Sequence, residues 1–295
     1  MMRFRISHET QYRYASPASE SVGEVRLYPK DTPWQKISNR QLELRPEVTV
    51  DSFTDFFGNT VECFTIPYRH SSLRIRMTAE VETFPVPDPG AAADIPVGEA
   101  RRLNRHRRID LYQFRLPTRA VPLGSVLAPL RKRFLEDSQV LRGALLGLNQ
   151  WIYRRFQYRP GVTDVSTPLS VVIAEKSGVC QDFAHLMLSI LRTHGLAARY
   201  VSGYIEPNDP TVPGGAELTG AAASHAWVEV ALPDGTWWGI DPTNNQAAGE
   251  RHVVTAVGRD YNDVAPLRGT YKGARNQRLK VIVSMKRKGT SRSHS

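Results

Sequence analysis

Cysteine is nearly absent: the 295 residues contain two, Cys63 and Cys180. That excludes a disulfide framework and a paired-cysteine zinc site. No stretch is apolar for long enough to read as a signal peptide or a membrane span. Cytoplasm is therefore the expected compartment, and a membrane partner is not expected. No glycine-rich loop runs into a helix with the lysine that phosphate binding uses, so no nucleotide cofactor is expected either. Acidic side chains are missing from one end. From Arg268 to Ser295 there are nine Lys or Arg and no Asp or Glu, within a net charge of +10. Such a segment invites a nucleic-acid reading. No recognition motif and no regularly spaced aromatics on a basic strand accompany it, so nucleic acid is not the expected partner.

The best-patterned stretch is Gly178–Gly195. Apolar residues at Val179, Phe183, Leu186, Met187, Ile190 and Leu191 fall on one helical face. Ala184 and Leu188 cover part of the other, which predicts a central helix. Ser177 and Gly178 mark its start, and Gly195 sits where a left-handed C-terminal cap is common. Cys180 then lies in the first turn, facing the positive end of the helix dipole, a position that favours thiolate. Cys63 lies in the strand-like Val61–Ile66, where it reads as a small buried hydrophobe.

Two later segments supply what a thiolate requires. Ser224–Leu232 alternates like a strand, with His225, Trp227 and Glu229 on one face. Pro233-Asp234-Gly235 fits a three-residue hairpin loop, and Thr236–Asp241 returns as the second strand. That loop sets Leu232 opposite Thr236 and Trp227 opposite Asp241. His225 and Asp241 become diagonal neighbours on one face, about 7–8 Å apart at the backbone. A two-residue loop would separate them, so the pairing depends on this register. In this arrangement Asp241 orients the imidazole, and His225 takes the thiol proton and returns it to a leaving group.

Gly178–Met187 (GVCQDFAHLM), Leu191–Ile205, Ser224–Val230 (SHAWVEV) and Trp237–Asn245 (WWGIDPTNN) resemble the core of the bacterial transglutaminase-like proteins. That family is a branch of the papain-like thiol enzymes. Asp55–Asn59 is similar to its N-terminal β region, Tyr158–Thr163 to the approach to its nucleophile, and Gly258–Pro266 to the segment after its triad. The resemblance implies a triad of Cys180, His225 and Asp241, the same residues that the spacing selects. It does not settle the reaction, because similar cores serve cross-linking enzymes, peptidases, deglycosylating amidases and inactive relatives.

The expected fold is α+β. Residues 1–85 show six strand-like runs separated by turns and predict an N-terminal antiparallel β-sandwich-like domain. A Pro-, Gly- and Ala-rich linker over 86–123 includes the basic run Arg101–Arg108. Residues 124–266 form the papain-like, transglutaminase-like core, with an amphipathic helix over Gln139–Phe156. The basic segment 267–295 holds a final strand at Leu279–Met285 before a frayed tail of about eight residues. Glu206–Ala223 reads as a lid or specificity loop. His185 reads as a packed histidine and Asp182 as a structural acceptor. Cys180, His185, His225 and Asp241 include no compact ligand pair, so no metal is expected. The expected function is acyl transfer on a peptide or carboxamide substrate through a thioester, with hydrolysis ahead of amine transfer and a non-catalytic basic binder as the third reading. Nothing in the sequence indicates the oligomeric state.

Overall fold

The computed structural model describes residues 1–106, 108–124, 133–207, 218–220, 224–273 and 276–288. Six strands come first: β1 Met2–Ala18, β2 Glu20–Val25, β3 Gln35–Arg45, β4 Val50–Thr54, β5 Thr60–Ile66 and β6 His70–Thr83. Helices α1 Val97–His106, α2 Arg108–Leu111 and α3 Leu141–Arg155 lead to the short strand β7 Gln157–Tyr158. Then come α4 Leu169–Glu175, β8 Ser177–Gly178 and α5 Cys180–Thr193. The remainder is β9 Ala198–Ile205, β10 His225–Ala231, β11 Trp237–Asp241, β12 Gln246–Ala247, β13 His252–Gly258, α6 Tyr261–Val264, β14 Leu267–Lys272 and β15 Gln277–Arg287.

Two four-stranded antiparallel sheets, ordered β15-β1-β6-β3 and β14-β2-β5-β4, enclose one core that contains Phe4, Ile6, Ile66, Ile75 and Met77. The inward residues of β1 and β6 alternate with outward ones, the period of a half-buried strand. Each of these sheets takes its edge strand from the C-terminal end. Leu279–Met285 lies within β15, which pairs with β1 from Phe4↔Arg287 to Tyr14↔Gln277. β14 pairs with β2. Several of the basic side chains delivered this way meet acids: Arg287 bonds Glu206 (2.6 Å), Lys288 meets Glu80 (2.7 Å) and Lys272 meets Glu20 (2.6 Å). The described residues of 267–288 are thus less an appendage than part of the sandwich. Residues 289–295, the bulk of the tail expected to fray, lie outside the described residues.

The second unit is a five-stranded sheet, β12-β11-β10-β9-β13, with α5 laid on one face. Ala226, Val228 and Val230 of β10 point into the same core as Phe183, Met187 and Ile190 of α5. The segment 86–123, expected as a linker, is instead structured. α1 places Val97 and Ala100 in that core, and Val121 follows them. Arg102 and Arg105 of α1 are exposed, whereas Arg101 is largely covered and paired to Asp137. Beneath them Asn104 is buried and donates to the Ala231 carbonyl. The β region is fastened to β13. Asn59 exchanges two hydrogen bonds with the Val257 backbone, both 2.8 Å. Gln35 does the same with Val254, at 2.8 and 2.9 Å. Among the described residues no helix is long and apolar enough to cross a membrane.

Candidate active site

α5 is fixed at both ends by its own sequence. At its start the Asp182 carboxylate reaches back to the Val179 N–H (2.8 Å) and also accepts from the Thr163 hydroxyl (2.6 Å). Burial pushes the Asp182 pKa up against those bonds, and the residue acts as the structural acceptor expected of it. At the other end Gly195 has φ +79, with Leu196 N–H bonded to Leu191 O and Gly195 N–H to Arg192 O, the Schellman pattern. Cys180 is therefore held as the first helical residue, 8% exposed. Its N–H is one of the four that a helix start leaves without an intrahelical partner.

The β10–β11 hairpin has the register that its three-residue loop implies. Leu232 N–H bonds Thr236 O, and Val228 faces Ile240, which carries Trp227 to Asp241. His225 Nε2 donates to Asp241 Oδ2 at 2.8 Å, and both residues are buried. With Nε2 committed, Nδ1 is the nitrogen left for Cys180. Burial alone would lower the His225 pKa. The Asp241 charge and hydrogen bond, then contact with Cys180 and its charge, outweigh burial and push it up to about 10.

Asp241 has more partners than the sequence suggested. Oδ1 accepts from the Thr243 N–H (2.9 Å) and the Asn244 N–H (3.2 Å). Oδ2 accepts from His225, from Asn244 Nδ2 (2.7 Å) and from His252 Nε2 (3.2 Å). Burial raises its pKa. The His225 charge and these donors overcome that and hold the carboxyl far below its usual range. Asn149, with its amide turned to suit both neighbours, bonds the Asp241 carbonyl and the Gln246 N–H, each at 3.2 Å.

His252 and Asn244 are the two residues that sequence reasoning did not select. Asn244 lay inside the WWGIDPTNN stretch, three residues past Asp241. His252 had no local signal, because β13 brings it in from beside β9, the far edge of the sheet. His225, Asp241 and His252 present ligand-type atoms within 4.8 Å of one another. Hydrogen bonding accounts for the cluster. Gly249 N–H bonds His252 Nδ1 (3.2 Å), which puts the ring proton on Nε2, so that this nitrogen is a donor to Asp241. Burial lowers the His252 pKa and favours that neutral form. His185 sits elsewhere, accepting from Tyr261 N–H (3.2 Å) against the Tyr200 ring.

Above the imidazole lies one described part of the expected lid loop, Leu218–Gly220. Asn244 holds Thr219 by two backbone bonds, 2.8 and 3.3 Å, so one amide ties the loop to the carboxylate. Gly220 has φ +94, and a Cβ there would lie 2.7 Å from His225 Nδ1 and 3.6 Å from the Tyr158 hydroxyl. Gly220→Val is expected to slow covalent labelling of Cys180 by about tenfold or more, because the imidazole must move off its position. The rest of the expected lid, residues 208–217 and 221–223, lies outside the described residues. Labelling at the wild-type rate by a folded variant would show that this approach is not required.

A cysteine at a helix start, set before an imidazole–carboxylate pair on an antiparallel sheet, defines the transglutaminase-like class of the papain-like fold. Two family models match the chain: the bacterial transglutaminase-like N-terminal region over residues 4–82 and the transglutaminase-like superfamily over 131–242. An uncharacterized protein of Mycobacterium leprae is 34% identical over 287 residues, covering 97% of this chain and 99% of that protein. One of Mycobacterium tuberculosis is 36% identical over 299 residues, covering 96% and 92%. A solved structure from Cytophaga hutchinsonii, assigned as a candidate cysteine protease, has the same fold with a TM-score of 0.77. It is 22% identical and covers 98% of this chain and 91% of its own. The chain belongs to the bacterial transglutaminase-like family, within a superfamily whose members are usually cysteine enzymes.

Proposed function

We propose that this protein is an acyl-transfer enzyme in which Cys180 attacks a peptide or carboxamide carbonyl and forms a thioester. The observation that carries the reading is the buried His225–Asp241 pair, with Nδ1 left open and with Cys180, at a helix start, among the groups that raise the His225 pKa. His225, protonated through neutral pH, is the partner a thiolate requires and the acid a departing amine requires. Asp241 fixes the proton on Nε2 and leaves Nδ1 to the thiol. The oxyanion is met by the Cys180 N–H and, in this proposal, by the Tyr158 hydroxyl. Burial first, and the charge of Cys180 next, push the Tyr158 pKa up to about 12, so the phenol keeps the proton it would donate.

Hydrolysis is the favoured outcome, since water needs no second binding site. Transamidation is the second reading. It is favoured by a Pseudomonas aeruginosa protein-glutamine gamma-glutamyltransferase, 31% identical over 138 residues, which cover 46% of this chain and 20% of that protein. The proposed partner is a protein or peptide substrate and the proposed compartment the cytoplasm, where the unpaired Cys63 and Cys180 stay reduced. Iodoacetamide near neutral pH is the test. Cys180 should label at least about tenfold faster than Cys63, whose pKa is pushed up by burial and then by Glu24. Equal rates in the folded protein would remove Cys180 as nucleophile. Thioester partitioning between water and an added amine then decides between the two outcomes.

A further inference from the structure

The sheet that carries His225 has a second face, turned away from α5. Between that face and the β region lies a cavity of about 360 Å³. It is within the range of small-molecule sites and equals roughly a dozen waters at about 30 Å³ each. Cys180 does not line it. Trp34 and Phe84 enter from the β region, and Trp227 and Trp237 from the core. The walls are held before any ligand arrives, because Gln35 and the Lys30 N–H are both hydrogen-bonded to the Val254 backbone.

The charges in this cavity do not balance. Arg199 and Glu229 answer one another at 2.7 Å, with the Arg199 guanidinium 4.1 Å from the Trp237 ring centroid. Lys30 also lines the cavity and makes no hydrogen bond or ion pair through its ammonium among the described residues. Burial, followed by the Arg199 charge, lowers its pKa, and the charges of Glu229 and Asp55 offset this only in part. An ammonium with no hydrogen-bonded or ion-paired anion among the described residues, set beside indole and phenyl faces, is complementary to one planar anion.

We propose that this cavity binds a small aromatic monocarboxylate, its ring against the indoles and its carboxylate on Lys30, at a site separate from the one that holds Cys180. The occupant would also border the triad. Trp227 stacks near His225, with ring centroids 6.2 Å apart, and lies 5.2 Å from His252, which bonds Asp241. This coupling rests on the proposed role of Cys180 and His225. The binding site does not.

Indole-3-acetate is the probe, titrated calorimetrically into wild type and into protein whose Cys180 has been blocked with iodoacetamide. One site with the same affinity in both is expected. Indole-3-acetamide, equal in shape and uncharged, should bind about tenfold or more weaker, the loss of a charge-assisted bond. Lys30→Met should lose a similar factor and Lys30→Arg should keep most of the affinity. Equal binding of acid and amide to the unmodified chain would overturn the site without relying on any variant. So would absence of binding up to the solubility limit, or loss of binding when Cys180 is blocked. Saturation should also change the Cys180 alkylation rate by about fivefold. Tight binding with an unchanged rate would remove the coupling and leave the site standing.

Discussion

His225→Ala is expected to slow covalent trapping of Cys180 by an electrophilic peptide by about 10³-fold, with the protein still folded. The size follows from the loss of the imidazolium that holds the thiol proton and stabilises the thiolate. Survival of the fold follows from Asp241, which keeps its bonds from Thr243, Asn244 and His252 when the imidazole is removed. Cys180→Ala should abolish trapping with little loss of stability, because alanine is a good helix residue and the lost volume is small. Tyr158→Phe should cost about tenfold in the acylation rate without removing the adduct, since only one oxyanion donor is lost. Trapping measured by intact mass against time separates these cases. A His225→Ala protein that reacts at the wild-type rate would leave the core a thiol-enzyme scaffold used for binding. The basic reading would then predict that removing Lys286–Ser295 weakens a salt-sensitive interaction.

What could be read in the sequence was what depends on short range. The helix of Cys180, its Gly195 cap and the hairpin that aligns His225 with Asp241 all arise from residues within about twenty positions of one another. The alternating pattern of β1 and β6 was equally clear, because each buries one face. The misread parts depend on distant partners. Residues 86–123 look like a linker because Pro and Gly open the stretch and arginines dominate its middle. Only Val97 and Ala100, one turn apart, mark the buried side of α1. β14 alternates poorly, since Arg268, Gly269 and Thr270 are exposed on an edge strand whose partner lies some 245 positions earlier in β2. His252 belongs to this group. Its role exists only once β13 pairs with β9 and Asp241 comes within reach.

Asp241 should also control how stability responds to pH, and the sign can be worked out. The His225 pKa in the folded protein is about 10, against an ordinary 6.5. Its imidazolium therefore contributes stability that is full below about pH 6.5 and is lost as pH rises through about 10. Between these limits the folded state holds a proton that the unfolded state has released. The slope from this one group is at most about 1.4 kcal/mol per pH unit. The experiment is made in Cys180→Ala protein, so that no thiol titrates beside the ring. Asp241→Asn in that background removes the largest raising influence while burial remains, so the decline attributable to His225 should disappear. Denaturant unfolding of both proteins from pH 6 to 10 isolates the difference, because every other titrating group is common to the two. If Asp241→Asn does not fold, the His225 ring proton followed by NMR in Cys180→Ala serves instead, with a midpoint above 6.5 but below 10 expected, because Asp241 still raises it while the contributions of Cys180 are gone. Parallel stability curves, or a ring that titrates near 6.5, would show that Asp241 does not hold the imidazolium.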